Sequence, residues 1–344
     1  MPIHKGAPAV DINNRRIING KDADVMQLYP MRHQFAWEAY TIGNANHWLP
    51  TEISMQRDIE QWRAKDALTA DERQAFETVL GFFTTADSIA ANNIVLALYK
   101  HITSPECRMY LLRQGYEEAI HTHSYQYIVE SLGMDESKIF NMYREVEAIY
   151  QKDNLVLSFN EGIFNPAFTT GTFENDQKFL ENLIVFSLIL EGIFFYSSFA
   201  VMFGFQRRNL LTGAAEQIQY IMRDESMHLN FGINMINSIK EEQPELWTPE
   251  FQNRILDLIQ RAVVLEYTFA QEVFPRGIFG MNAAGFKQYI EHIADRRLAR
   301  IGLPPQYRAE NPFPWMSEAI DLNKEKNFFE TRVTEYKTGG TLNW

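Results

Sequence analysis

Glu-x-x-His occurs twice in this 344-residue sequence, at Glu118/His121 and at Glu225/His228. On a helix, residues three apart are neighbours on one face, so a carboxylate and an imidazole at that spacing can grip one metal ion. With 44 acids and 8 histidines, about one acid-x-x-His pair is expected by chance, so the motif alone says little. Its surroundings say more. Asp87 stands 31 residues before Glu118, and Glu191 stands 34 before Glu225. Each lone acid interrupts an apolar stretch, and each is followed about one helical hairpin later by Glu-x-x-His.

The same half-site therefore occurs twice. One acid from each of two helices and Glu-x-x-His from each of two others is the layout of a carboxylate-bridged dinuclear site in a four-helix bundle. Four carboxylates cannot all stay ionised in an apolar interior without cations, and two divalent ions would balance them. Oxygen and imidazole ligands without a thiolate suit iron or manganese better than structural zinc. Simpler readings compete residue by residue. A buried acid can pair with Arg, a core histidine can be satisfied by ordinary hydrogen bonds, and Tyr125 can be a core tyrosine. The duplicated spacing of Asp87, Glu118, His121, Glu191, Glu225 and His228 outweighs them.

Long helices must hold these residues. Thr69-Ala-Asp-Glu72 is a capping-box signature that opens a helix to about residue 101. Its stripe runs through Phe76, Leu80, Phe83, Asp87, Ile94 and Leu98. The next helix covers about 105–132. At about 100° per residue, Glu118, His121 and Tyr125 fall within about 60° of one another. Glu117 lies about 100° from Glu118, and His123 about 140°, which marks both as bystanders on other faces. Further helices are predicted over about 135–151, 174–204, 213–241, 249–273 and 281–300. No stretch alternates like a strand. The fold class is all-α. Residues 1–55 read as an irregular segment with short helical pieces, 56–300 as the helical bundle, and 301–344 as a turn-rich extension and flexible tail, within one structural domain overall.

The stretch LIVFSLILEGIFFYSSFAVMFGF (183–205) is long enough to span a membrane. Its centre carries Glu191, which is costly in lipid, so the central helix of a bundle, apolar all round, is the expectation. A net charge of −12 argues against nucleic acid or anionic membranes as partners. The single cysteine, Cys107, excludes an intrachain disulfide and dithiol chemistry on this chain alone. The N-terminal residues lack an apolar leader, and a cytoplasmic location is expected.

NNIVLA after Asp87, EEAIHTHSY, LEGIFFYSSF, YIMRDESMHLNFG, HIADRRL, NPFPWM and the aromatic C-terminal end carry a family resemblance. Across nearly the whole chain the sequence resembles the small, radical-generating subunit of class I ribonucleotide reductase. The resemblance implies a ferritin-like helical bundle with a four-helix dinuclear metal core and extra helices. It implies Asp87, Glu118 and His121 at one metal, and Glu191, Glu225 and His228 at the other. Tyr125 matches the radical-bearing tyrosine. Phe195, Phe199 and Ile221 match the apolar pocket that shields it. Trp48 matches the tryptophan that passes an electron to the cluster, and Asp224 the aspartate linking that Trp to His121. Glu52 matches a glutamate near the subunit interface. Tyr336 matches the tail tyrosine that relays the radical, and Leu342 and Trp344 close the docking tail.

The activity so implied is that of ribonucleoside-diphosphate reductase. The metal site uses O2 to oxidise Tyr125. The oxidising equivalent then passes by Trp48 and Tyr336 to a cysteine of the large subunit, where ribonucleotides are reduced. The implied partners are a second copy of this chain, in a homodimer, and the large catalytic subunit. Two metal ions per chain are implied, with iron–iron the first choice, manganese–iron the second and dimanganese the third. The wording is closest to the manganese–iron subgroup. That subgroup has Phe at the radical position and Glu as first ligand, whereas this chain has Tyr125 and Asp87, as the ordinary tyrosyl-radical type does. The competing function is a ferritin-like dinuclear oxidase or oxygenase acting on a small molecule, which would need neither Trp48, nor a shielded tyrosine, nor a docking tail.

Overall fold

In a computed structural model of the chain, residues 11–21 and 27–316 are described. Their helices are α1 (Gln34–Ala45), α2 (Gln56–Arg63), α3 (Ala70–Asn93), α4 (Pro105–Leu132), α5 (Glu136–Glu145), α6 (Glu147–Phe164), α7 (Phe173–Ile184), α8 (Phe195–Arg207), α9 (Thr212–Glu242), α10 (Pro249–Val273) and α11 (Ala283–Arg300). Wider π-helical turns extend α3 over Ile94–Leu98 and join α7 to α8 over Val185–Phe194. Among the described residues there are isolated β-bridges but no strand.

Local chemistry sets the helix ends. The Thr69 hydroxyl accepts from the Glu72 amide (3.2 Å), and the Glu72 carboxylate accepts from the Thr69 amide (2.8 Å), so the capping box opens α3. Ser104 caps α4 ahead of Pro105, and Gly133, at φ 64°, closes it in the left-handed region. α9 is capped from outside: the buried Asp58 of α2 accepts from the amides of Gly213 (3.0 Å) and Ala214 (2.7 Å). Only glycine fits at 213, because a Cβ there would lie 2.5 Å from the Ser54 carbonyl oxygen.

The helix predicted over 135–151 is in fact two. Val146 takes an extended backbone (φ −98°, ψ 108°), ends α5 and starts α6, which runs on to Phe164. The buried residues Ile149, Leu155, Val156 and Ile163 form the apolar face that carries α6 beyond the expected end. The stretch 183–205 is the core. Phe173–Arg207 is long and apolar enough to cross a membrane, but its apolar window is 100% buried within the protein. Ala70–Leu98 passes the same test of length and composition and is mostly buried.

The elements of the core pack closely. α3 lies against α4, and α9 lies against the π-helical segment 185–194 and against α8. The approach of α9 to that segment needs Gly232, where a Cβ would fall 2.1 Å from the Ser187 hydroxyl. A buried charge pair ties α6 to α10. Lys152 Nζ lies 2.9 Å from Glu266 Oε2, 3.5 Å from the centre of the Phe82 ring and 3.9 Å from that of Phe269. Ser197 of α8 donates to the same carboxylate. Burial pulls the Lys152 pKa down, and Glu266 only partly offsets it.

Removing one partner of such a pair strands a charge, which costs about 3–5 kcal/mol, whereas replacing both with apolar side chains is often near neutral. Glu266→Leu should therefore destabilise the fold by about 3–5 kcal/mol, and Lys152→Met with Glu266→Leu should recover most of that loss. Denaturant unfolding of the metal-free protein measures both. A double variant no more stable than Glu266→Leu would show that the cost lies in packing and not in charge.

Candidate metal centre

Asp87 of α3, Glu118 and His121 of α4, Glu191 of the π-helical segment and Glu225 and His228 of α9 are all fully buried and converge on one point. They form two overlapping groups. Ligand atoms of Asp87, Glu118, His121 and Glu225 lie within 4.8 Å of one another, and so do those of Glu118, Glu191, Glu225 and His228. Glu118 and Glu225 belong to both. Glu118 Oε2 is 3.6 Å from His121 Nδ1 while its Oε1 is 3.2 Å from His228 Nδ1. Glu225 Oε1 is 3.2 Å from His121 Nδ1 while its Oε2 is 3.3 Å from His228 Nδ1. Two ions in these groups would share Glu118 and Glu225, while Asp87 and Glu191 each belong to one group.

The donor set fits two cations. Both oxygens of Asp87, both of Glu118, Oε2 of Glu191, Oε1 of Glu225 and Nδ1 of His121 are buried without a hydrogen-bond partner. Buried polar atoms are rarely left so, and seven converging on one point mark a place for positive charge. One oxygen of Glu191 is held by Gln114 (2.8 Å), one turn before Glu118 on α4. Gln114 was not singled out in the sequence, although its position on the Glu118 face was the available signal.

Both histidines turn Nδ1 inward and Nε2 toward an acid outside the cluster. His121 Nε2 lies 3.3 Å from Asp224 Oδ2, the same oxygen that accepts the Trp48 indole N–H at 2.8 Å. Trp48 in turn stacks on Tyr220, with ring centres 5.2 Å apart. His228 Nε2 lies 2.8 Å from Glu117 Oε2, and Arg113 Nε donates to the other oxygen at 3.0 Å. Glu117 is no bystander. It is buried, and it holds the second histidine. α4 packs against α1, α3 and α9, so it has more than one inward face, and an angle of about 100° from Glu118 does not take Glu117 out of the interior. His123 is exposed, as its phase predicts.

Tyr125 is fully buried, and its hydroxyl has no hydrogen-bond partner. Burial, and then the Asp87 charge, push its pKa well up. Its ring stacks on Phe83 at 5.4 Å and 3° between planes. Phe195 and Phe199 reach it through Phe83, at 5.9 and 5.4 Å from that ring. Phe83, four residues before Asp87 on the same stripe, is thus the ring in direct contact. Ile221 is buried on α9, one turn before Glu225. Glu52 is exposed at the end of a short 3-10 turn, Pro50–Glu52. Tyr336, Leu342 and Trp344 lie outside the described residues.

Without metal, burial first and the neighbouring carboxylates second push Asp87 and Glu191 well above the ordinary carboxylate range. Burial opposes charge on His121 and His228, yet the surrounding acids raise both pKa values well above that of free imidazole. Each shift favours the protonated form, and an incoming cation must displace those protons. Manganese(II) uptake should release protons and tighten as pH rises. Calorimetric titration in two buffers of different ionisation enthalpy measures the release; uptake with no proton release would contradict this electrostatic account.

A family model described as "Ribonucleotide reductase, small chain" matches residues 25–312. The chain is 53% identical over 335 residues to the ribonucleoside-diphosphate reductase subunit beta of Chlamydia pneumoniae, covering 97% of this chain and 96% of that one. It is 31% identical over 324 residues to the ribonucleoside-diphosphate reductase small subunit of Dictyostelium discoideum, covering 93% and 88%. Among solved structures, the ribonucleotide reductase R2 subunit from Clostridium botulinum superposes with a TM-score of 0.81 at 29% identity, over 89% of this chain and 94% of that one. With the buried carboxylate–histidine cluster in the place its sequence pattern predicts, the chain belongs to the ribonucleotide reductase small-chain family.

Proposed function

We propose that this chain generates and stores the oxidising equivalent of a class I ribonucleoside-diphosphate reductase, and that Tyr125 is where it rests. The observation that carries this reading is Tyr125 itself: a fully buried phenol beside Asp87, stacked on Phe83 and satisfied by no hydrogen bond. Two redox-active ions held by Asp87, Glu118, His121, Glu191, Glu225 and His228 would supply O2-driven oxidation. The chain's own residues do the rest. Phe83, Phe195 and Phe199 keep water and reductants from the phenol. Asp87 offers a neighbouring carboxylate for its proton. Asp224, bonded to both Trp48 and His121, gives a path for an electron from the surface side. Tyr125 and Asp87, in place of Phe and Glu, favour two irons over a manganese–iron pair.

A small-molecule oxygenase would need a substrate cavity that reaches the six ligands, all of which are fully buried. A surface groove of about 730 Å³ between α6 and α10 is lined by Gln151, Asn154 and Asp257 among others, none of which is a ligand. For the homodimer, Ile42 of α1, Val95 and Leu96 after α3, and Leu112 and Tyr116 of α4 are exposed apolar or aromatic side chains on neighbouring elements. A second copy of the chain would cover them. The large catalytic subunit would be engaged by the C-terminal tail, through Tyr336 and the end at Trp344, with Glu52 near that contact.

When iron(II) and O2 are supplied, wild type should give a narrow organic-radical resonance and a sharp near-visible absorption. Tyr125→Phe should lose both while keeping its metals. A tyrosyl signal persisting in that variant would move the radical elsewhere. Truncation before residue 335 should leave metal content and radical intact yet end ribonucleotide reduction with the large subunit. Full turnover by the truncated chain would remove the docking role.

A further inference from the structure

Glu117 and Asp224 hold equivalent places. Each immediately precedes the Glu of a Glu-x-x-His pair, Glu117 before Glu118 and Asp224 before Glu225. The bonds they make are crossed: Asp224 of α9 holds His121 of α4, and Glu117 of α4 holds His228 of α9. An arginine backs each acid. Arg223 Nε is 3.3 Å from Asp224 Oδ1, and Arg113 Nε is 3.0 Å from Glu117 Oε1. Each arginine also lies over a tyrosine ring, Arg223 at 5.0 Å from Tyr220 and Arg113 at 5.4 Å from Tyr116. The duplication seen in the six inner residues thus extends one layer outward.

The two halves differ at one contact. Asp224 Oδ2 is shared between His121 and the Trp48 indole, whereas Glu117 divides its oxygens between His228 and Arg113. Both histidines reach an arginine through their acid, and only His121 also reaches an indole. The Glu117–Arg113 pair is closely fitted. A Cβ on Gly43 of α1 would stand 3.0 Å from Glu117 Oε1 and 3.3 Å from Arg113 Cγ, so α1 leaves room for this pair and little more.

We infer that Glu117 is the positioning residue of the His228 metal site, and that it sets the affinity of that site independently of the His121 site. An imidazole can bind metal through Nδ1 only if its proton sits on Nε2, and an acceptor on Nε2 fixes both the tautomer and the ring orientation. Glu117 supplies that acceptor for His228, and Arg113 holds Glu117 in place. Removing such an acceptor lowers metal affinity by about 10- to 100-fold. Because the two acids sit on different helices and touch different histidines, the loss should be confined to one ion. The inference rests on the dinuclear reading of the cluster.

The test uses manganese(II) alone, titrated into the full-length metal-free protein. Total binding is read by electron paramagnetic resonance, and the occupancy of each position by anomalous diffraction. Wild type should take two ions. Glu117→Leu, similar in volume but unable to accept, should weaken the ion at His228 about 10- to 100-fold and spare the ion at His121. Glu117→Ala, which leaves space in place of an apolar filler, should show the same selectivity should the leucine variant fail to fold. Glu117→Gln, whose amide oxygen can still accept from Nε2 but whose amide nitrogen cannot accept from Arg113, should be impaired less than the Leu variant. Asp224→Leu should reverse the pattern and weaken the His121 position. Equal weakening of both ions by Glu117→Leu or Glu117→Ala, or no weakening, overturns the inference, as does a Gln variant as impaired as the Leu variant. Wild type binding fewer than two ions would instead overturn the dinuclear reading beneath it.

Discussion

Four carboxylates brought together in a dry interior repel one another, and that repulsion is the constraint on which the structure turns. Two solutions to buried negative charge stand side by side here. Glu266 is met by a cation of the chain itself, Lys152, with Ser197 as a further donor and phenyl rings around the ammonium. Asp87, Glu118, Glu191 and Glu225 have only two imidazoles among them, and most of their oxygens have no donor. Side chains that could have neutralised them, Arg113 and Arg223, stand one layer out and are spent on Glu117 and Asp224. The inner acids are thus left to ions from outside the chain, which is what a metal centre requires of its protein.

Holding such a cluster demands backbone adjustments as well as side chains. Glu191 lies within a ten-residue π-helical stretch and not in a regular α-helix. Wide turns of this kind recur at functional sites because they re-aim side chains that an α-helix would send elsewhere. The stretch is steadied from outside: Arg297 Nε donates to the Gly192 carbonyl at 2.8 Å, and α9 comes close enough at Gly232 to exclude any side chain there. The residues HIADRRL, which carry part of the family resemblance, therefore have a structural task at Arg297, one helix away from the metals.

Periodicity exposed the inner site, because an acid in an apolar stripe is conspicuous in one dimension and the spacing recurs. It exposed α3, α4, α9, α10 and α11 for the same reason. What stayed hidden depends on contacts between distant segments. The Val146 break follows from one residue turning extended to pack on the core. The π-helical stretch has the composition of an α-helix. Phe83 was visible on the Asp87 stripe, but nothing one-dimensional says which ring meets Tyr125. Glu117 escapes a one-face reading of α4 because neighbours surround that helix. A better signal was present, since an acid precedes each Glu-x-x-His, and reading the duplication one residue further would have paired Glu117 with Asp224.

The asymmetry around the cluster bears on where an oxidising equivalent can rest. Two buried tyrosines flank the site, both with hydroxyls lacking hydrogen bonds: Tyr125 near Asp87, and Tyr110, whose ring lies edge-on to His228 at 6.4 Å. Oxidising a phenol requires somewhere for its proton to go. After burial, the main influence on Tyr125 is the Asp87 carboxylate, and on Tyr110 it is an imidazole already engaged by Glu117. The indole of Trp48 also connects, through Asp224, to His121 and not to His228. The carboxylate beside a phenol and the indole-linked histidine therefore gather on the same half of the centre, the half with Asp87, His121 and Tyr125. On the other half, Glu117 and Arg113 close off His228.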